Sequence, residues 1–173
     1  DYDKNFEFMF DVLARLKTKK IPFSLALLGE RFKKIPDVFR KAREKFQDEI
    51  VVFDYVESRD EYRAWLKKGS IVVSCAIQEN FGIAVVEAVR YGCVPLLPDR
   101  LSYPELMPKE FHPEILYHTQ NEMYEKLENM IVNYQIYMPL QKRLSRHMEQ
   151  FSWEIMVNQY DDSLQKMTIN ENL

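Results

Sequence analysis

Residues 70–95 read SIVVSCAIQENFGIAVVEAVRYGCVP, and the fold turns on this stretch. Ile71 to Cys75 is a short continuous apolar run, the pattern of a strand buried on both faces. Ala76 to Gly82 reads as a loop. Phe81 to Tyr91 reads as a helix and stops at Gly92, the residue type favoured just past a helix C-terminus. Cys93 to Leu97 is a second apolar run. Strand, loop, helix and strand in this order, with both strands apolar throughout, predict a parallel pair joined by a helical crossover.

The same alternation extends on both sides. Before it lie a helix over residues 5–20, with Phe6, Met9, Phe10, Leu13 and Leu16 on one face, and a strand from Ser24 to Leu28 that ends at Gly29-Glu30. A surface helix over 37–46, a strand from Ile50 to Phe53, and a helix capped by Ser58 or Asp60 and stopped by Gly69 follow. After it come a fifth strand, Glu114 to His118, and three helices. The last helix carries Trp153, Met156, Val157, Tyr160 and Leu164 on a face expected to be core. The expected fold is α/β, a Rossmann-like, mostly parallel sheet with helices on both faces. One domain over residues 1–167 is expected, with a polar, frayed tail at 168–173.

Composition narrows the function. The 173 residues have a formal net charge of −3, so the basic footprint of an autonomous nucleic-acid binder is missing. The two cysteines, Cys75 and Cys93, sit in apolar runs and read as buried free thiols. His112, His118 and His147 are scattered, and no His/Cys spacing suggests zinc. No apolar stretch approaches the length that spans a bilayer. A cytoplasmic protein is the expectation. The opening Asp1-Tyr2-Asp3-Lys4-Asn5 runs straight into a helical pattern and reads as a cut inside a longer protein.

In open α/β sheets, ligands gather at the carboxyl ends of strands, where helix N-termini present free amides to anions. The loop from Ala76 to Gly82 belongs to that end, and Gly82 permits close approach to its backbone. Glu87 stands in a helix otherwise written with apolar residues, which predicts a helix buried on several sides. A buried carboxylate requires a partner. Either a protein group satisfies Glu87, or it waits for ligand hydroxyls; chemistry alone leaves the two readings level. Glu30, at the end of the first strand, is either a base or phosphate contact or a plain loop acid. Lys4, by its residue type alone, is a solvated surface lysine. Tyr103 and Glu105 lie beyond the fourth strand on the same side. His118 reads as structural.

Glu79, Phe81, Gly82, Glu87, Ala88, Gly92 and Pro95 together resemble the E-x7-E signature of the retaining GT-B glycosyltransferases of family 4, with Asn80 where that family usually has glycine. The resemblance implies the C-terminal, nucleotide-sugar-binding half of a two-domain enzyme. By it, Glu79 holds donor-sugar hydroxyls and Glu87 the ribose hydroxyls. The amides around Phe81 and Gly82 approach the phosphates, Asn80 and Ile83 belong to the same donor-binding segment, and Lys4 holds the diphosphate with an arginine that would precede residue 1. Glu79 and Lys4 are the implied catalytic pair, with no metal and no cofactor. Further runs, among them Leu28-Gly29-Glu30, Tyr91-Gly92-Cys93, Tyr103-Pro104-Glu105 and Phe151-Ser152-Trp153, resemble the tRNA-queuosine mannosyltransferases over roughly residues 1–160. That family implies GDP-mannose as donor and queuosine of tRNA-Asp as acceptor. The tRNA would be held mainly by an N-terminal domain outside this chain, so the chain by itself is expected to be inactive. The alternatives are another family 4 enzyme acting on a glycan or lipid, and a non-catalytic nucleotide-binding module.

Overall fold

The computed structural model describes residues 2–29 and 36–170. Tyr2–Lys4 is a single 3-10 turn leading into helix α1, Phe6–Thr18. Strand β1 (Leu25–Leu28) is followed by α2 (Asp37–Lys45) and β2 (Ile50–Asp54). Next come α3 (Arg59–Lys68), β3 (Ile71–Val73), α4 (Ile83–Arg90) and β4 (Val94–Pro98). Two short helices, α5 (Tyr103–Leu106) and α6 (His112–Ile115), precede β5 (Leu116–Tyr117). Helices α7 (Gln120–Val132), α8 (Tyr134–His147) and α9 (Trp153–Asn170) close the chain, with a 3-10 turn at Met148–Phe151 between the last two.

Every described ladder is parallel, as the apolar strand runs predicted. The strands form a pair, β1–β2, and a triple in the order β3–β4–β5. Strand β4 explains why helices must cover both faces of the triple. Its side chains alternate between faces, yet all five residues from Val94 to Pro98 are buried. Phe10, Leu16, Phe46, Leu96, Leu97, Met123 and Leu144 belong to one apolar core whose buried residues run from Met9 to Met148. Cys75 and Cys93 are buried free thiols, and burial pushes both up to about 11, away from reactivity at neutral pH.

The caps act where the sequence placed them. Ser58, not Asp60, caps α3: its hydroxyl accepts the Glu61 amide at 3.0 Å. Gly92 takes a left-handed φ of 105° beyond α4.

Three expectations are corrected. Strand β3 ends at Val73 rather than Cys75, because the Ser74 hydroxyl turns back to accept the Ala76 amide at 3.3 Å and starts the loop early. Helix α4 is not buried on several sides: Val85, Val86, Ala88 and Val89 face the core, while Ile83, Ala84, Glu87 and Arg90 share an exposed stripe. Helix α9 is not core. Trp153 is 70% exposed, and Tyr160, Leu164 and Met167 are exposed with it. Met156 and Val157 on the same face are half-buried. The helix continues to Asn170, through the first part of the tail expected to fray. No helix among the described residues is long and apolar enough to cross a membrane.

Candidate functional site

The loop after β3 is fixed from three directions. From the N-terminus, the Asp3 carbonyl accepts the amides of Ile77 at 2.7 Å and Gln78 at 3.3 Å. This places the opening turn directly against the loop and brings Lys4 to it. From below, Arg100 Nε donates to the Ala76 carbonyl at 3.2 Å. From the segment after β4, the Ser102 hydroxyl donates to the Phe81 carbonyl at 2.9 Å.

Ser74 and Tyr103 set the loop's far end. The Tyr103 ring is fully buried, so its hydroxyl needs a partner, and it finds the Ser74 hydroxyl at 2.7 Å. Tyr117 donates to the Ser74 carbonyl at 2.8 Å and locks the same turn from β5. The Tyr103 ring then lies under Gly82. A Cβ at Gly82 would stand 3.1 Å from Tyr103 Cε1, and Gly82 itself has φ of 89°. Both facts require glycine here. Asn80 is different: it does not take a left-handed φ, so nothing in the backbone at that position calls for the glycine usual in the family.

On this frame Lys4 Nζ meets Glu79 Oε2 at 2.8 Å, across 75 residues of sequence. The other Glu79 oxygen, Oε1, accepts the Asn80 amide at 3.1 Å. The hydrogen bond from the Lys4 ammonium holds the Glu79 carboxyl below its usual range against a smaller opposing effect of burial, and the amides of Gly82 and Asn80 add to the lowering. Glu79 is therefore a carboxylate at neutral pH. Beside it α4 begins at Ile83, which is 66% exposed; the Gly82 carbonyl accepts the Val85 amide at 2.9 Å, and the amides before it stand at the open end of the helix. Two oppositely charged groups and a helix N-terminus thus share one open corner at the carboxyl end of β3.

One turn further along the exposed stripe of α4 lies Glu87. Its Oε2 accepts the Tyr62 hydroxyl of α3 at 3.1 Å. Glu87 lines a groove of about 510 Å³ with Arg59, Tyr62, Arg63, Arg90 and Phe151. The Phe151 ring also meets Phe81 edge-on, 5.6 Å between centroids, so the groove and the Glu79 loop are joined by one aromatic contact.

Of the residues singled out in the sequence, Lys4, Glu79, Asn80, Phe81, Gly82 and Ile83 are thus brought to one corner, with Glu87 on the adjoining stripe. Glu30 lies outside the described residues. His118 is a surface group, its amide accepted by Glu122 at 2.9 Å and its ring 3.5 Å from Asp99. Tyr62 and Ser74 were not singled out, and Phe151 and Asp3 entered only as parts of runs that carry the resemblance, with no role at the site. No spacing along the chain links them to the motif; only the packing does.

Residues 1–133 match the family described as group 1 glycosyl transferases. The chain belongs to this glycosyltransferase family. The tRNA-queuosine alpha-mannosyltransferase of Drosophila melanogaster is 39% identical over 129 residues, which cover 75% of this chain and 33% of that protein. The chain therefore spans about a third of that relative's length. Among solved structures, the pneumococcal O-GlcNAc transferase GtfA, in complex with UDP and GlcNAc, superposes with a TM-score of 0.77 at 10% identity, over 96% of this chain and 34% of that one. A glycosyltransferase from Rickettsia africae gives a TM-score of 0.75 at 14% identity, over 96% of this chain and 45% of its own. At such identities the likeness speaks for the fold, the parallel α/β half of a GT-B glycosyltransferase.

Proposed function

We propose that this domain binds the nucleotide-sugar donor of a retaining transferase that moves mannose from GDP-mannose to queuosine in tRNA-Asp. The observation that carries the reading is the corner where Lys4, Glu79 and the start of α4 meet. The fly relative's name supplies the mannosyl and queuosine chemistry.

In this reading the first-turn amides of α4, around Gly82 and Ile83, receive the diphosphate, and Phe81 and Asn80 border it. Lys4 supplies a cation as the sugar–phosphate bond breaks and negative charge grows on the leaving diphosphate. Fixed charges and dipoles of that kind lower a barrier because they need no reorganisation during the step. Glu79 accepts hydroxyls of the mannose and orients the reacting carbon. Lys4 and Glu79 hold each other in place until the donor arrives, and the diphosphate then competes for the ammonium. Glu87 receives the ribose hydroxyls from its exposed stripe. Neither the donor contacts nor the leaving-group role calls on a metal. A second, N-terminal domain outside this chain would hold the tRNA, in keeping with the acidic balance here, and a tRNA acceptor would place the enzyme in the cytoplasm.

The test is transfer by the complete protein. With queuosine-containing tRNA-Asp, GDP-mannose should give a hexosylated nucleoside by mass spectrometry, UDP-glucose and UDP-N-acetylglucosamine should not, and residues 1–173 alone should give none. Product from a UDP-sugar in place of GDP-mannose would overturn the donor assignment.

A further inference from the structure

Glu87 has an unusual choice of partner. Three arginines line its groove, yet among the described residues it makes no ion pair. Arg63 is taken by Asp60 at 3.2 Å, and Arg90 by Glu149 at 3.0 Å. The Arg90 carbonyl also accepts the Ser145 hydroxyl at 2.7 Å, which ties the end of α4 to α8. The carboxylate is met instead by a neutral phenol, Tyr62, at one oxygen only.

The difference matters chemically. An arginine fork would occupy both carboxylate oxygens with parallel N–H bonds. A single phenol occupies one of about four lone-pair positions on a carboxylate. Among the described residues, Oε1 and the second lone pair of Oε2 stay available to a ligand that brings two adjacent O–H donors. The phenol also restrains a side chain that, on an exposed helix stripe, would otherwise sample many rotamers at an entropic cost on binding. Tyr62 is placed to do this by α3 packing beside α4, with the two side chains 25 residues apart in sequence. Burial, and next the neighbouring Glu87 charge, push the Tyr62 hydroxyl up to about 12, so it remains a donor throughout the physiological range.

We propose that Tyr62 is a positioning residue that holds the Glu87 carboxylate in the rotamer that receives the vicinal hydroxyls of the donor's ribose. This rests on the assignment of Glu87 to the ribose made above. Tyr62 acts through Glu87, without touching the nucleotide itself.

The experiment compares wild type, Tyr62→Phe, Glu87→Ala and the double variant in the complete protein. Binding of GDP, UDP and their 2′-deoxy forms is measured by calorimetry, and the tighter-binding base is followed. Tyr62→Phe should weaken the ribonucleotide roughly 3- to 10-fold, the worth of one hydrogen bond to a charged group. It should leave the 2′-deoxynucleotide nearly unchanged and raise the donor KM more than it lowers kcat. On the Glu87→Ala background it should add nothing. The ribo-to-deoxy ratio is internal to each variant, so partial unfolding cannot imitate the result. A normal ribo-to-deoxy ratio in Tyr62→Phe, or a loss that persists on the Glu87→Ala background, would overturn the role of Tyr62 while Glu87 keeps the ribose. Unchanged ribonucleotide affinity in Glu87→Ala would instead remove the ribose from Glu87, and the role of Tyr62 with it.

Discussion

The two glutamates of the motif are held in opposite ways. Glu79 sits on a loop, half-buried, with a cation on one oxygen and a backbone amide on the other. Glu87 sits on an exposed helix stripe with one neutral hydroxyl on one oxygen. The first arrangement fixes charge and position together and still leaves lone pairs on both oxygens. The second leaves one oxygen without a partner among the described residues. Equal residue type and a fixed spacing therefore do not mean equal surroundings, and the proposed roles at sugar and ribose rest on that difference.

This contrast can be broken most sharply at Glu79. In the complete protein, Glu79→Ala should lower kcat about 100-fold, the size typical of lost positioning at a reacting centre. Nucleotide affinity should stay near wild type. Steady-state kinetics with a parallel calorimetric titration checks both halves. A kcat left intact would make Glu79 no more than a partner for Lys4.

A smaller effect is expected from the frame that holds the Glu79 loop. Gly82→Ala places a Cβ against the Tyr103 ring in a conformation that L-residues avoid. The cost should be about 1–3 kcal/mol, read as a lower midpoint of urea unfolding. Donor affinity should fall with it, because the same residue begins α4. The Asn80→Gly change should lack the steric gain expected of a strained site, since Asn80 is not left-handed.

The smallest effect is the pH dependence of the Lys4–Glu79 pair. The Glu79 carboxyl is held below its ordinary value of 4.5. A carboxyl lowered by folding contributes stability that is fully present above that ordinary value. The contribution fades as pH falls through the lower, folded value. Lys4 is 48% exposed, so the pair contributes less than about 1 kcal/mol. Unfolding midpoints of wild type and Glu79→Gln should differ at pH 7 and converge as the pH drops below 4.5. A gap that persists at low pH would mean that the variant acts through packing, not through the ion pair.

The stretch from Ile71 to Pro95 shows how far the sequence alone reaches. Its strand, loop, glycine-stopped helix and second strand are local events, each signalled by residues within a few positions of one another. The same holds for Ser58 at the start of α3. Helix α4 shows the limit. A short run of Ile, Ala and Val reads as apolar on most faces, yet among the described residues nothing covers Ile83 and Ala84, and Glu87 emerges with them. Helix α9 repeats the lesson at larger scale: its face has the pattern of core, yet Trp153 and Tyr160 are exposed and Met156 and Val157 only half-buried.

By itself, then, the sequence determined the order and kind of the main elements, the parallel sense of the strands, the buried thiols and the loop-to-helix corner that carries the two glutamates; it missed the short helices α5 and α6, the second of which takes Glu114 and Ile115 from the strand expected at Glu114–His118. Only the tertiary structure decided which groups those glutamates meet. Lys4 and Glu79 lie 75 residues apart, and Tyr62 and Glu87 25 apart. Pairings at such separations leave no periodic trace along a chain. They exist because the Asp3 carbonyl captures the loop amides, and because α3 packs beside α4, contacts that form only when the core closes.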